Sequence, residues 1–98
     1  MTDRPQATAT QTIDESRVRV THYRFEPGAE TGWHIHPLDY VITAITDCHM
    51  RLEMPDGTIK TNIVKAGESY RRDAGVEHNV INDGTDAMAF VEIELKDA

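Results

Sequence analysis

Hydrophobic and polar positions alternate along most of this chain. From Arg17 the period is close to two: Val18, Val20 and His22 share one face, and Arg17, Arg19, Thr21, Tyr23 and Phe25 share the other. Glu26-Pro27-Gly28 ends that strand, because Pro removes an amide donor and Gly bends freely. Tyr40 to Thr46 is rich in β-branched residues and fits a buried strand. Cys48 to Met54 alternates again, with Met50, Leu52 and Met54 on one side. Pro55-Asp56-Gly57-Thr58 is a hairpin turn, since Asp-Gly accepts the positive φ angles of tight turns, and Ile59 to Val64 returns as the partner strand. Ala66-Gly67-Glu68 turns the chain again. Ser69 to Arg72 and His78 to Asn82 are short strands around Asp73-Ala74-Gly75, and Asn82-Asp83-Gly84-Thr85 is a further turn. Ala87 to Leu95 closes the domain, with Val91, Ile93 and Leu95 expected to face the core.

No apolar stripe of period 3.6 lasts for three helical turns. Short strands between regular turns specify an all-β sandwich or barrel. Residues 1–14, MTDRPQATATQTID, show no sustained period. They are expected to form a flexible tail or an arm that orders on a partner subunit, leaving 15–98 as the domain.

Length and charge narrow the partners. A chain of 98 residues holds one domain and buries only about two-thirds of its unfolded surface. Pairing with a second copy would relieve both the small core and the open sheet edges, so a homodimer is expected. The net charge of −7 and the absence of a basic run exclude nucleic acid and disfavour an anionic membrane. The apolar segments are too short to span a bilayer, and no apolar signal region opens the chain. Cys48, the single cysteine, has no internal disulfide partner, which points to a reducing, cytoplasmic setting.

Chemistry enters with the histidines. His34 and His36 lie at i and i+2, so on a strand both imidazoles project from one face and can share one ion. Taken alone, such a pair is more often an accident of a polar strand than a ligand set. A third ligand must come from elsewhere, and His78, which follows a Gly-containing turn, can supply it. Imidazole suits iron, zinc, nickel, copper and manganese in different degrees. His22 and His49 lie outside this pattern and are expected at the surface or an interface. Cys48 is expected to be a small buried residue.

Two stretches resemble the paired motifs of cupins. Gly28, five residues, His34-Ile35-His36, three residues and Tyr40 are similar to the first motif; Gly67, five residues, Asp73-Ala74-Gly75, two residues, His78, three residues and Asn82 are similar to the second. The resemblance covers about residues 17–96 and implies a cupin-type antiparallel β-barrel, that is, a double-stranded β-helix or jelly roll. The second motif departs only at Asp73, which stands where cupins have Pro. The first departs at Tyr40, which replaces a Glu that often ligates the metal; Asp39 is one residue early and should face the other way. The resemblance therefore implies one divalent ion held by His34, His36 and His78 with water in the open positions. Some cupin oxygenases hold ferrous iron this way, so iron is expected first, with zinc, nickel or manganese as alternatives.

Tyr40 is then a candidate catalytic residue, donating a hydrogen bond to a metal-bound water or substrate. Tyr70 and Arg72 stand where many cupins have apolar, barrel-facing residues, and are candidate substrate-binding residues. An inward guanidinium needs a carboxylate, either a substrate's or one of the chain's own acids. Arg71 should be the solvated neighbour, Trp33 and Ile35 outer packing or interface residues, and Asn82 a backbone tie. Gly75 to Val80 and Phe90 to Lys96 resemble small cupins labelled as β-alanine degradation proteins, which implies a small carboxylated metabolite. Two functional classes follow: an iron dioxygenase acting on a small carboxylated, thiol or dicarbonyl metabolite, or a non-catalytic cupin that senses or sequesters such a molecule.

Overall fold

The alternating segments fold into nine strands, and the computed structural model describes residues 4–97 with no helix among them. The strands are β1 Thr8–Asp14, β2 Val18–Phe25, β3 His34–Ile35, β4 Asp39–Ala44, β5 Cys48–Glu53, β6 Ile59–Val64, β7 Ser69–Arg72, β8 Glu77–Asn82 and β9 Met88–Leu95. Two sheets result, one in the order β1-β2-β9-β4-β7 and one in the order β3-β8-β5-β6. All ladders within them are antiparallel, and the chain crosses from sheet to sheet as in a jelly roll.

The core between the sheets is built from Phe25, Tyr40, Ile42, Met50, Val80 and Phe90, with Met88 and Val64 closing one end. Tyr23 and Phe25 each pack a ring near Phe90, with centroids 5.4 Å apart in both pairs. Burial of side chains of this size contributes about 1.5–3 kcal/mol apiece. The β5–β6 hairpin turns at Pro55-Asp56-Gly57-Thr58 as expected: Gly57 has φ +85°, and Asp56 accepts the Thr58 amide at 2.9 Å.

The closing strand has the opposite phase from the one expected. Met88, Phe90, Glu92 and Glu94 are the buried positions of β9, and Val91, Ile93 and Leu95 face outward. The alternation holds, but the side that faces the core is the one that carries the acids. Two acids can point into this barrel because its interior is polar at that level: Arg19 grips Glu94 through two hydrogen bonds of 2.7 and 2.9 Å. Outside, Ile93 lies in register with Val20 on β2 and Val41 on β4, and Val20 in turn with Ile13 on β1.

The first residues also differ from expectation. Thr8–Asp14, read as part of a tail or arm, is an edge strand paired along β2 of its own chain, with a register shift between Gln11 and Ile13. All seven of its residues are exposed, so the backbone ladder to β2 is its main tie and no burial pattern marks it in the sequence. Ahead of it, Arg4 reaches Glu30 at 3.0 Å, and the Ala7 amide donates to the Glu30 carbonyl at 2.8 Å. These contacts tie the start of the chain to the second sheet.

Candidate metal centre

The site begins with the shortest strand. β3 pairs with β8 so that His34 lies directly opposite His78. His36 follows β3 immediately and is fixed by two backbone bonds of 2.8 Å, from its amide to Val76 and from the Gly75 amide to its carbonyl. Gly75 takes φ +101° at that approach, a conformation open to glycine and strained for other residues. The three imidazoles meet nearly edge to face. His34 Nε2 is 3.0 Å from His36 Nε2, which is 3.1 Å from His78 Nε2.

Hydrogen bonds set which nitrogens are free. His34 Nδ1 lies 2.9 Å from the Gly32 carbonyl. A carbonyl only accepts, so Nδ1 carries the proton and Nε2 offers its lone pair. His36 Nδ1 faces Glu92 Oε1 at 3.6 Å, which favours the same tautomer. Burial first, and then the neighbouring His34, lower the pKa of His36 to about 4 and that of His78 to about 3, so both are neutral at ordinary pH. Lone pairs this close repel unless a cation lies between them. Donor type, tautomer and spacing together fit one divalent ion.

Tyr40 is buried and stacks on His36, with ring centroids 3.9 Å apart and planes at 18°. Burial raises its pKa, so the phenol keeps its proton and remains a donor. Glu92 lies behind His36 in the inner part of the cavity, with its pKa raised to about 7 by burial and by Glu94. On the outer side a cavity of about 290 Å³ leads from His78 and Tyr40 past Leu52, Met54 and Val76 to solvent.

Tyr70 and Arg72 both line this outer cavity. Arg72 stacks its guanidinium 4.6 Å from the Tyr70 ring centre and donates to the Arg71 carbonyl at 3.1 Å. None of the chain's acids pairs with it among the described residues. Of the two readings for Arg72, the internal ion pair is therefore not formed. Tyr70 points its hydroxyl at Met50 Sδ, 3.7 Å away. Arg71 takes the solvated role, bonding Asp39 and Asp73 at 2.8 Å each, and Asp39 faces away from the histidines. His22 and His49 are exposed, and Cys48 is buried. Trp33 and Ile35 are exposed on the outside. Asn82 ties backbone, donating to Phe25 and Asp86 and accepting from Gly84.

Three neighbours of the site carry little signal in the sequence. Glu92 was masked by the wrong phase of β9, although two acids at i and i+2 in an apolar strand signal a polar interior. Thr31, whose hydroxyl lies 3.3 Å from His34 Nδ1, carried no motif. Lys60 reaches the outer cavity only because it is in register with Leu52.

With this geometry in place, comparison with known proteins gives a consistent result. Residues 21–94 match the cupin domain family. The β-alanine degradation protein BauB of Pseudomonas aeruginosa is 50% identical over 96 residues, covering 98% of this chain and 100% of its own. A cupin domain from Bordetella pertussis superposes with a TM-score of 0.93 at 48% identity, covering 99% of this chain and 100% of that one. The polyketide cyclase RemF of Streptomyces resistomycificus shares the fold at a TM-score of 0.72 and 22% identity, covering 98% of this chain and 71% of its own. This chain belongs to the cupin domain family.

Proposed function

We propose that this protein is a metal-dependent dioxygenase acting on a small carboxylated metabolite, a thiol or a dicarbonyl, with iron as its resident ion. The observation that carries the reading is the convergence of three imidazoles through Nε2, with His78 among them lining a cavity open to solvent. A divalent ion bound there supplies Lewis acidity and open coordination positions, and iron adds a place for oxygen. The chain's own residues do the rest. Tyr40 keeps the plane of His36 by stacking and holds a phenolic proton toward the cavity. Arg72, stiffened by Tyr70, offers a fork that fits a carboxylate through two parallel hydrogen bonds. Leu52, Met54 and Val76 give the substrate an apolar wall. The name of the Pseudomonas relative, in β-alanine degradation, supports a small carboxylate as ligand. A reducing cytoplasm would keep iron ferrous.

The second reading is a non-catalytic cupin that senses or sequesters the same kind of molecule. One observation favours it: the outer cavity is lined by no carboxylate, so a ligand held at Arg72 meets no proton acceptor there. Metal analysis of protein purified without a histidine tag, followed by oxygen-uptake assays of the iron-loaded protein with small thiols, dicarbonyls and β-amino acids, separates the two. Uptake above free iron with one of them supports the dioxygenase. None with any leaves the binder. We also propose that the chain is a homodimer, joined through the apolar outer face of the five-stranded sheet.

A further inference from the structure

Two edge strands, β6 of one sheet and β7 of the other, both border the outer cavity, and each presents one cation to it. On β7, Arg72 is in register with the buried Tyr40; on β6, Lys60 is in register with Leu52, which lines the cavity. Cross-strand neighbours share a face, so both cations belong to the inner side of their strands. The chain has 17 acids against 10 Lys and Arg, yet neither Lys60 nor Arg72 has a carboxylate within ion-pair distance among the described residues. Between them and the histidines lies an apolar stretch of Leu52, Met54 and Val76, and at its inner end Tyr40 and His78.

We propose that Lys60 and Arg72 form a two-cation clamp at the mouth of the metal cavity, which takes the carboxylate of a short aliphatic acid and turns the acid's other end toward His78 and Tyr40. The inference rests on the reading of the cavity as a substrate site and adds the class of substrate and the end that leads. Arg72 supplies the planar fork and Lys60 a mobile point charge from the opposite sheet, so the carboxylate bridges the open side of the barrel. The apolar stretch accepts the methylene groups and gives no partner to a second charge midway along the ligand. A Lys on an edge strand also has a competing use, since such charges hinder edge-to-edge aggregation. The experiment separates the two uses.

Propanoate is titrated into the zinc-loaded protein at low ionic strength and followed by NMR, with propanamide as its uncharged counterpart and zinc content measured alongside. Propanoate should shift the amides of Leu52, Lys60, Arg72 and Val76. Lys60→Met, which keeps the aliphatic stem, and Arg72→Met should each weaken it about tenfold, the scale of a lost charge-assisted hydrogen bond. Lys60→Arg should stay within about twofold, propanamide should discriminate none of the variants, and zinc should stay bound in all. If Lys60→Met binds propanoate like the parent while Arg72→Met does not, the clamp is wrong and the single Arg72 anchor stands. Aggregation of Lys60→Met with unchanged affinity assigns Lys60 to edge protection and overturns the clamp. Shifts centred on the histidines, insensitivity to both variants, or no propanoate binding at all overturn the clamp and the Arg72 anchor together. Zinc loss in Lys60→Met that Lys60→Arg does not restore places Lys60 in the metal site instead. Because zinc replaces iron and binding is the readout, an absence of oxygen chemistry does not affect the result.

Discussion

His36 is the residue on which the site turns. It stands between His34 and His78, stacks on Tyr40, and faces Glu92 from its other nitrogen. His78→Ala should abolish stoichiometric metal binding, measured by elemental analysis, since the two imidazoles left at i and i+2 hold an ion far less well than three. Tyr40→Phe keeps the stacked ring and loses only the donor. It should retain metal and slow any oxygen uptake about 10–100-fold, the usual range for contacts just outside the ligands. Glu92 gives a sharper test because its two effects have opposite signs. Its carboxyl is buried beside Glu94, with its pKa raised to about 7. Glu92→Leu should weaken metal binding about tenfold by removing the carboxyl that faces His36 Nδ1 at 3.6 Å. The same change should stabilise the metal-free protein, because an apolar side chain replaces a poorly solvated acid. A denaturant midpoint that falls in the metal-free variant would count against this account of Glu92. At this scale the sequence was informative where spacing alone places a side chain, as for His34 and His36. It was silent where placement depends on a distant strand, as for Glu92, Lys60 and Thr31.

Among the elements, the turns were the most legible and the outermost strands the least. Gly57 and Gly75 sit at positive φ where Asp-Gly and the Gly-containing turn before His78 required it. Asn82, at the end of β8, holds three backbone groups: the carbonyls of Phe25 and Asp86 and the amide of Gly84. Asn82→Ala leaves all three without their partner and opens a small void beneath β9. It should cost about 2–4 kcal/mol in denaturant unfolding while leaving the three histidines in place, so metal stoichiometry should survive in the folded fraction. β9 shows why strand alternation fixes two faces without naming them. Val91, Ile93 and Leu95 look like core residues when the interior is assumed to be apolar, and this interior holds Glu92, Glu94 and three imidazoles. β1 left no pattern because an edge strand with both faces exposed has no burial to record; Thr8, Thr10 and Thr12 supply only a preference for extended backbone.

The whole molecule adds two expectations. The first is pH dependence without metal. His36 and His78 titrate at about 4 and about 3 when folded, against 6.5 when unfolded, so between those values the unfolded chain binds more protons and stability falls as pH falls. Glu92 works in the opposite direction, since its folded pKa of about 7 exceeds the unfolded 4.5 and its contribution is lost as pH rises through that range. Two imidazoles outweigh one carboxyl. Between pH 4.5 and 6.5 stability in chelator should rise with pH, by at most about 1.4 kcal/mol per unit. A denaturation midpoint that is flat or falls over that interval would mean that the buried imidazoles already carry protons.

The second expectation follows from the inverted phase of β9. Ile13, Val20, Ile93 and Val41 form one row across four strands, bordered by Val18, Leu95 and Val91, all on the outside of the five-stranded sheet. Ile13 and Leu95 are about two-fifths exposed, at 41% and 40%. A small acidic chain has little reason to turn a continuous apolar row outward unless something covers it. The most economical cover is the same row on a second copy, related by a two-fold axis, because a self-complementary apolar face needs no second surface to have evolved. Such an interface would also cover β1, whose seven residues are all exposed. Light scattering should then give twice the 11.0 kDa chain mass at micromolar concentration. Ile93→Lys should return the monomer mass, since a buried interfacial charge without a partner costs several kcal/mol. It should leave the histidine site intact, because Ile93 points away from it. A parent protein that is already monomeric, or an Ile93→Lys variant that stays dimeric, would remove this face from consideration and leave the outward phase of β9 without a structural purpose.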